Sequence, residues 1–467
     1  MKTLLPLALA LPLLATAQTQ TPHQRLARDI YKELLEINTV TNTGDTAKAA
    51  DAMAARLRAA GFPANDVRVF KPAPRKGNMV ARLHGTAAKK PILLLAHIDV
   101  VDAKREDWTT DPFKLVEQDG YFYARGSGDD KFMAATFVAN LIRYRQEGYR
   151  PERDIIVALS TDEEIGDANK LGIQWLLEHQ RALIDAEFAL NEGASVGLRN
   201  GKPIRNGVQT SEKNYVDYSL EVKNSGGHSS LPRKDNAIYR LAGALKKIEA
   251  YDFPAQFTDG SRAYFTGMAK IQAARGNSEV ATAMNALVKD PNDAQSIALV
   301  SSKDPSWNAT LRTTCVATML DGGHATNALP QRARANINCR IFPGVSAETV
   351  RQKLEELVAD PAVKVTTLET RGPSSPPPPL TPRVLGPVQK LTAQFWPGLP
   401  VLPVLQPGAT DGEFLNAAGI PTYGIEPVFA GPDLGNIHGL NEYVGVKSLL
   451  EGRDFLYRLV KIYADGK

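Results

Sequence analysis

An uninterrupted apolar run, Ile92-Leu93-Leu94-Leu95-Ala96, ends in His97-Ile98-Asp99, and a second, Ile155-Ile156-Val157-Ala158-Leu159, leads into Thr161-Asp162-Glu163-Glu164. Short apolar runs of this kind read as strands buried on both faces, the state of strands in a parallel sheet covered by helices. Charged groups at their ends fall where such sheets hold ligands. Between the two lies Gly126-Ser127-Gly128-Asp129-Asp130-Lys131, which opens a helix running to about Tyr144 and sets Asp129 near its N-terminal dipole. The stretch from Ile92 to Asp167 thus implies a layered α/β domain with a site at one edge of its sheet.

The remaining chain fills in that plan. Helical spacing of Leu26, Ile30 and Leu34, a second helix over 46–60, and strands at 78–83 and 187–193 continue the α/β alternation to about Gln209. The texture then changes. Strands at 215–222, 310–320, 332–342 and 363–368 with helices at 236–248 and 347–359 make a compact α+β unit, interrupted by a polar, poorly periodic insertion over 253–308 with some helix. Gly372 to Pro379 is a stiff, proline-rich connection, after which the α/β texture resumes. The expected organisation is a mixed-sheet α/β domain over 18–209 and 372–467, with a four-strand, two-helix unit inserted over 210–371.

A balance of 55 basic and 51 acidic residues in 467, net +4, argues against a nucleic-acid partner and for a small-molecule or peptide substrate. Lys2, the apolar Leu4 to Leu14 and Ala15-Thr16-Ala17 read as a signal peptide over residues 1–17. The run is shorter than the roughly 20 residues that span a bilayer, so the mature protein is expected to be periplasmic or secreted, with no membrane attachment. Cys315 and Cys339 lie in separate strand-like runs; a cross-strand bridge and two buried thiols both fit.

His97, Asp129, Glu164, Glu192 and His438 all fall at strand ends or in adjoining loops of the α/β domain. Two imidazoles and three carboxylates suit a pair of zinc ions, one carboxylate bridging. Such a pair can activate water against an amide carbonyl. Neighbouring residues at a strand end point in opposite directions, so Glu164 can ligate while Glu163 faces the water as general base. Asp99 can accept the second ring proton of His97 and fix its tautomer.

Taken in order, Ala96-His97-Ile98-Asp99-Val100-Val101, Gly126-Ser127-Gly128-Asp129-Asp130-Lys131, Thr161-Asp162-Glu163-Glu164, Asn191-Glu192-Gly193, Gly226-Gly227-His228-Ser229-Ser230 and Ile437-His438-Gly439 resemble the co-catalytic zinc metallopeptidases that include carboxypeptidase S, aminoacylase and glutamate carboxypeptidase. The resemblance implies that His97 and Glu192 hold one zinc and Glu164 and His438 the other, with Asp129 bridging, Glu163 the base and Asp99 the histidine orienter. It implies that the inserted unit is a lid and homodimerisation domain whose His228 reaches a neighbouring subunit's site and stabilises the oxyanion. Asn327 and Arg340 would contact substrate, and Gly408 would lie in a substrate-binding loop. A cis peptide between Asp129 and Asp130 is implied as well. Phe132 departs from the glycine usual after Asp-Asp-Lys.

The expected activity is carboxypeptidase-type release of an amino acid from a peptide, by cleavage of an amide beside a free carboxylate that Arg340 would fork. N-acyl amino acid hydrolase and dipeptidase are the alternatives within the enzyme class. A silent metal- or peptide-binding envelope protein is the alternative outside it, and Glu163 speaks against that, since a binder needs no base. Taken singly, each acid could be a cap or a solvated charge. His324 lies in a glycine-rich loop and is read as incidental; His23, His84 and His179 belong to no cluster and are read as structural or exposed.

Overall fold

The computed structural model describes residues 20–165, 170–194, 196–199, 201–370, 372–431 and 434–466. The expected signal peptide and Asp167 lie outside the described residues. No described helix is long and apolar enough to cross a membrane.

Eight strands form one mixed sheet, in the order Val67–Ala73, Lys76–Leu83, Arg153–Ser160, Lys89–His97, Phe188–Asn191, Thr422–Gly424, Asn206–Glu212, Val401–Gln406. The four from Arg153–Ser160 to Thr422–Gly424 run parallel, and antiparallel neighbours flank them on both sides. Along Lys89–His97, Leu94 and Ala96 enter a core shared with the helices Pro22–Leu35, Lys131–Gln146 and Val446–Asp465. Leu93 and Leu95 enter the opposite core with Ile173, Leu176 and Leu415. Burial on both faces explains why the run has no polar alternation, and each leucine contributes roughly 1.5–3 kcal/mol by leaving water. The register sets His97 opposite Ser160, Leu94 opposite Leu190 and Gly424 opposite Asn191, so the parallel strands finish close together and their following loops share one edge.

The smaller unit is an antiparallel sheet in the order Thr314–Gly322, Arg332–Ile341, Asn214–Lys223, Val363–Thr370, backed by the helices Ala237–Glu249 and Ala347–Val358. Tyr218, Leu241, Ile337 and Leu354 are central in its core. Cys315 and Cys339 stand opposite each other in the register and form a disulfide.

The stretch read as polar and poorly periodic is in fact four helices, Asp259–Ala274, Ser278–Lys289, Ala294–Lys303 and Pro305–Leu311. Thr310 and Leu311, expected to begin a strand, close the last of them; the strand starts at Thr314. Their buried faces combine Phe265, Met268, Met284 and Leu287 with small residues such as Ala269, Ala281 and Ala283, which weakens the apolar signal in the sequence. They pack on Leu402 and Val404 of the large sheet, although in sequence they interrupt the smaller unit.

Candidate metal centre

His97 ends its strand with the imidazole buried. Its Nδ1 lies 3.1 Å from the Asp99 main-chain oxygen, which places the proton on Nδ1 and turns Nε2 toward the carboxylates. Nε2 is 2.9 Å from Asp129 Oδ1 and 3.6 Å from Glu192 Oε1. The other oxygen of Asp129 is 3.1 Å from His438 Nε2, which is 3.0 Å from Glu164 Oε2. One carboxylate therefore stands between two imidazoles, each with a further acid beside it. Ligand atoms of His97, Asp129 and Glu164, and of His97, Glu163 and Glu192, lie within 4.8 Å of one another. His438 closes the cluster from the solvent side.

Asp99 acts on two fronts. Its carboxylate is 3.6 Å from His97 Nδ1, so the nearer acceptor for the imidazole is the Asp99 backbone carbonyl. The carboxylate accepts the main-chain N–H groups of Glu163 at 3.2 Å and Glu164 at 3.1 Å, which fixes the turn that sends the two glutamates apart.

The electrostatics favour cations. Hydrogen bonds to Asp129 and Glu164 push His438 up to about 10. Burial alone would raise Asp129, but hydrogen bonds from His438 and His97 outweigh it and hold the carboxyl well below its usual range. Burial pushes Glu163 and Glu192 up, with neighbouring acids adding to the effect. A cluster that holds protons this strongly is one in which a dication can replace them.

A buried pair not anticipated from the sequence supports the loops. Glu442 accepts Gly126 N–H at 2.9 Å, Gly128 N–H at 2.7 Å, Asp129 N–H at 3.2 Å and Arg125 Nη1 at 2.8 Å. Arg125 Nη2 in turn donates to the Gly439 carbonyl at 2.9 Å, beside His438. One ion pair thus ties the turn of Asp129 to the turn of His438. The sequence offered a hint: two glycines whose N–H groups need an acceptor, and an acid four residues after His438. The peptide joining Asp129 to Asp130 is cis, and Phe132 is buried in the core of the large domain.

Two cavities meet at this cluster, both lined by Glu163, Glu164, His438 and Gly408. The smaller, about 370 Å³, includes Arg340, whose guanidinium lies 4.5 Å from the Tyr215 ring centre. Glu413 is in the same cavity, and burial together with Glu212 and Asp411 pushes it up to about 10, so it is neutral beside the guanidinium near pH 7. The larger, about 690 Å³, runs under the helical insertion. His228 and Asn327 line neither cavity. They sit together on an exposed ribbon in which Gly227–His228 pairs with Ala328–Leu329, and Ser229 N–H donates to the Asn327 carbonyl at 3.0 Å. His324 is exposed.

This fold and acid-histidine arrangement match a known group. A sequence profile described as Peptidase family M20/M25/M40 covers residues 93–462. The chain belongs to that family. N-fatty-acyl-amino acid synthase/hydrolase PM20D1 of Homo sapiens is 30% identical over 382 residues, 80% of this chain and 74% of that protein. Probable carboxypeptidase S-like 2 of Dictyostelium discoideum is 30% identical over 380 residues, 80% and 71% of the two chains. The M20 family metallo-carboxypeptidase Sso-CP2 from Sulfolobus solfataricus superposes with a TM-score of 0.70 at 18% identity, over 94% of this chain and 99% of that one. The M20 chain described here is accordingly a metallo-hydrolase with a mixed α/β fold.

Proposed function

We propose that the protein is an exported, zinc-dependent exopeptidase that cleaves an amide beside a free carboxylate and releases the C-terminal amino acid. The observation that carries this reading is the Asp129 carboxylate set between two imidazoles, with Glu163 and Arg340 in the adjoining cavity. His97 with Glu192, and His438 with Glu164, fit one metal each around the shared Asp129. When bound, such a pair supplies a Lewis acid and lowers the pKa of water.

The remaining steps fall to the chain itself. Arg340 forks the substrate carboxylate and sets the scissile bond over the cluster. Glu163 removes a proton from the attacking water and delivers it to the leaving amine. Backbone groups at Gly408 approach the substrate closely, and His228 with Asn327, from a second subunit, faces the developing oxyanion.

A second reading, hydrolysis of N-acyl amino acids, is favoured by the size of the cavity opposite Arg340 and by the substrate named for the human relative. A panel of dipeptides and N-acyl amino acids separates the two. Turnover is expected to vanish with chelator and return with zinc; turnover that survives complete metal removal overturns both readings.

Glu442 acts as a positioning residue. Glu442→Gln is expected to lower metal affinity roughly 10- to 100-fold while the metal-free fold is kept, as for other residues that orient ligands. Metal titration by calorimetry, with circular dichroism of the metal-free protein as control, measures it; unchanged affinity removes the role.

A further inference from the structure

Arg205 stands immediately before the strand Asn206–Glu212 and lines the larger cavity. Arg205 is half-buried, and the more deeply buried arginines have an acid at hand: Arg125 has Glu442, Arg153 has Glu187, Arg312 has Asp252 and Arg453 has Asp454. Arg205 has none. Among the described residues its one contact of note is the ring of Tyr264, with the guanidinium carbon 5.7 Å from the ring centre. A half-buried guanidinium on a cavity wall with no acid beside it is open to a ligand carboxylate, the group whose planar geometry it forks. Tyr264 comes from the insertion helix Asp259–Ala274, so the insertion helps to place this cation. The same cavity is lined by Ile204, Leu405 and Ile437, a surface suited to a short methylene chain.

We propose that Arg205 and Tyr264 form a second anion-recognition point, selecting substrates whose acyl side is an apolar chain of a few carbons tipped by a carboxylate. A dicarboxylic acyl group and an acidic side chain on the residue before the scissile bond share this chemistry. The inference rests on the proposed function only for orientation: with the substrate's α-carboxylate at Arg340, the acyl side enters the cavity of Arg205.

The test measures binding in the zinc-loaded Glu163→Gln protein, by calorimetry, with N-glutaryl-leucine against N-pentanoyl-leucine, whose acyl chains have equal length. The glutaryl compound is expected to bind roughly tenfold tighter or better, the scale of one charge-assisted contact. Adding Arg205→Gln erases the difference, and adding Arg205→Lys keeps part of it. Glu-Leu against Gln-Leu, measured alike, tells the two sources apart: a matching difference identifies the acidic side chain, and one confined to the glutaryl pair identifies the dicarboxylic acyl group. Equal binding, no binding, or a difference that survives Arg205→Gln overturns the proposal. Turnover of the same compounds by the unaltered protein is scored separately: selective binding without cleavage sinks the amidohydrolase reading and leaves the subsite standing.

Discussion

Glu163→Gln is expected to lower kcat roughly 10³-fold or more, within the range for removing a positioned proton-transfer group, with metal content unchanged. The argument starts at Asp99, whose two carboxylate oxygens hold the N–H groups of Glu163 and Glu164. That grip makes the neighbouring side chains diverge: Glu164 meets His438, and Glu163 faces the cavities. Burial pushes the Glu163 carboxyl well above its ordinary value; Glu164 and Asp411 add to this and His97 opposes it. A carboxyl whose hold on a proton is strengthened in this way is suited to take one and return it. Glutamine keeps the shape and the polarity but cannot accept the proton. Rate measurements alongside elemental analysis of the protein decide the point. A variant that keeps more than a tenth of the activity removes Glu163 as base, and one that loses metal makes it a ligand instead.

His228→Ala is expected to cost roughly 10²- to 10³-fold in kcat, the usual scale for one oxyanion donor, and the loss is repairable from outside the chain. His228 lines neither cavity of its own chain. The strand Thr314–Gly322 that edges the smaller sheet is bare on its outer side and shows Val316, Met319 and Leu320, the last two 72% and 71% exposed, beside Tyr239 on the adjacent helix. An open strand edge with an apolar strip is the surface on which a second copy can pair by two-fold symmetry. The shared site proposed above requires that such pairing bring each His228 to the other copy's centre. Mixing equal amounts of Glu163→Gln and His228→Ala chains, unfolded together and refolded, should then restore roughly a quarter of the wild-type activity, because half the dimers carry one intact composite site. Activity no greater than that of the two variants alone removes the shared site.

The centre is legible where uninterrupted apolar runs mark strands buried on both faces. Ile92 to Leu95 and Ile155 to Leu159 announce buried parallel strands, and the ends of those strands place His97, Glu163 and Glu164 at one edge of the sheet. His438 is legible as a candidate from ligand counting, but its pairing with Glu164 comes only through the resemblance, since its loop has no period and lies 341 positions after His97. Glu442 was missed because its partners are mostly main-chain N–H groups, which leave no residue pattern. The insertion reads in sequence as having only some helix, because alanines do much of the packing of its four helices. The Cys315 to Cys339 pairing, left open by sequence, follows from register, which sets the two residues face to face.

The threading of the insertion has a practical consequence. Cutting the chain at the two borders of the smaller unit and rejoining the ends would look like a clean removal of one module. It would also strip four helices from the large sheet, bare Leu402 and Val404 to water, and take Tyr264 from beside Arg205. Any redesign that removes the smaller unit therefore has to keep the helical segment and splice around it on both sides.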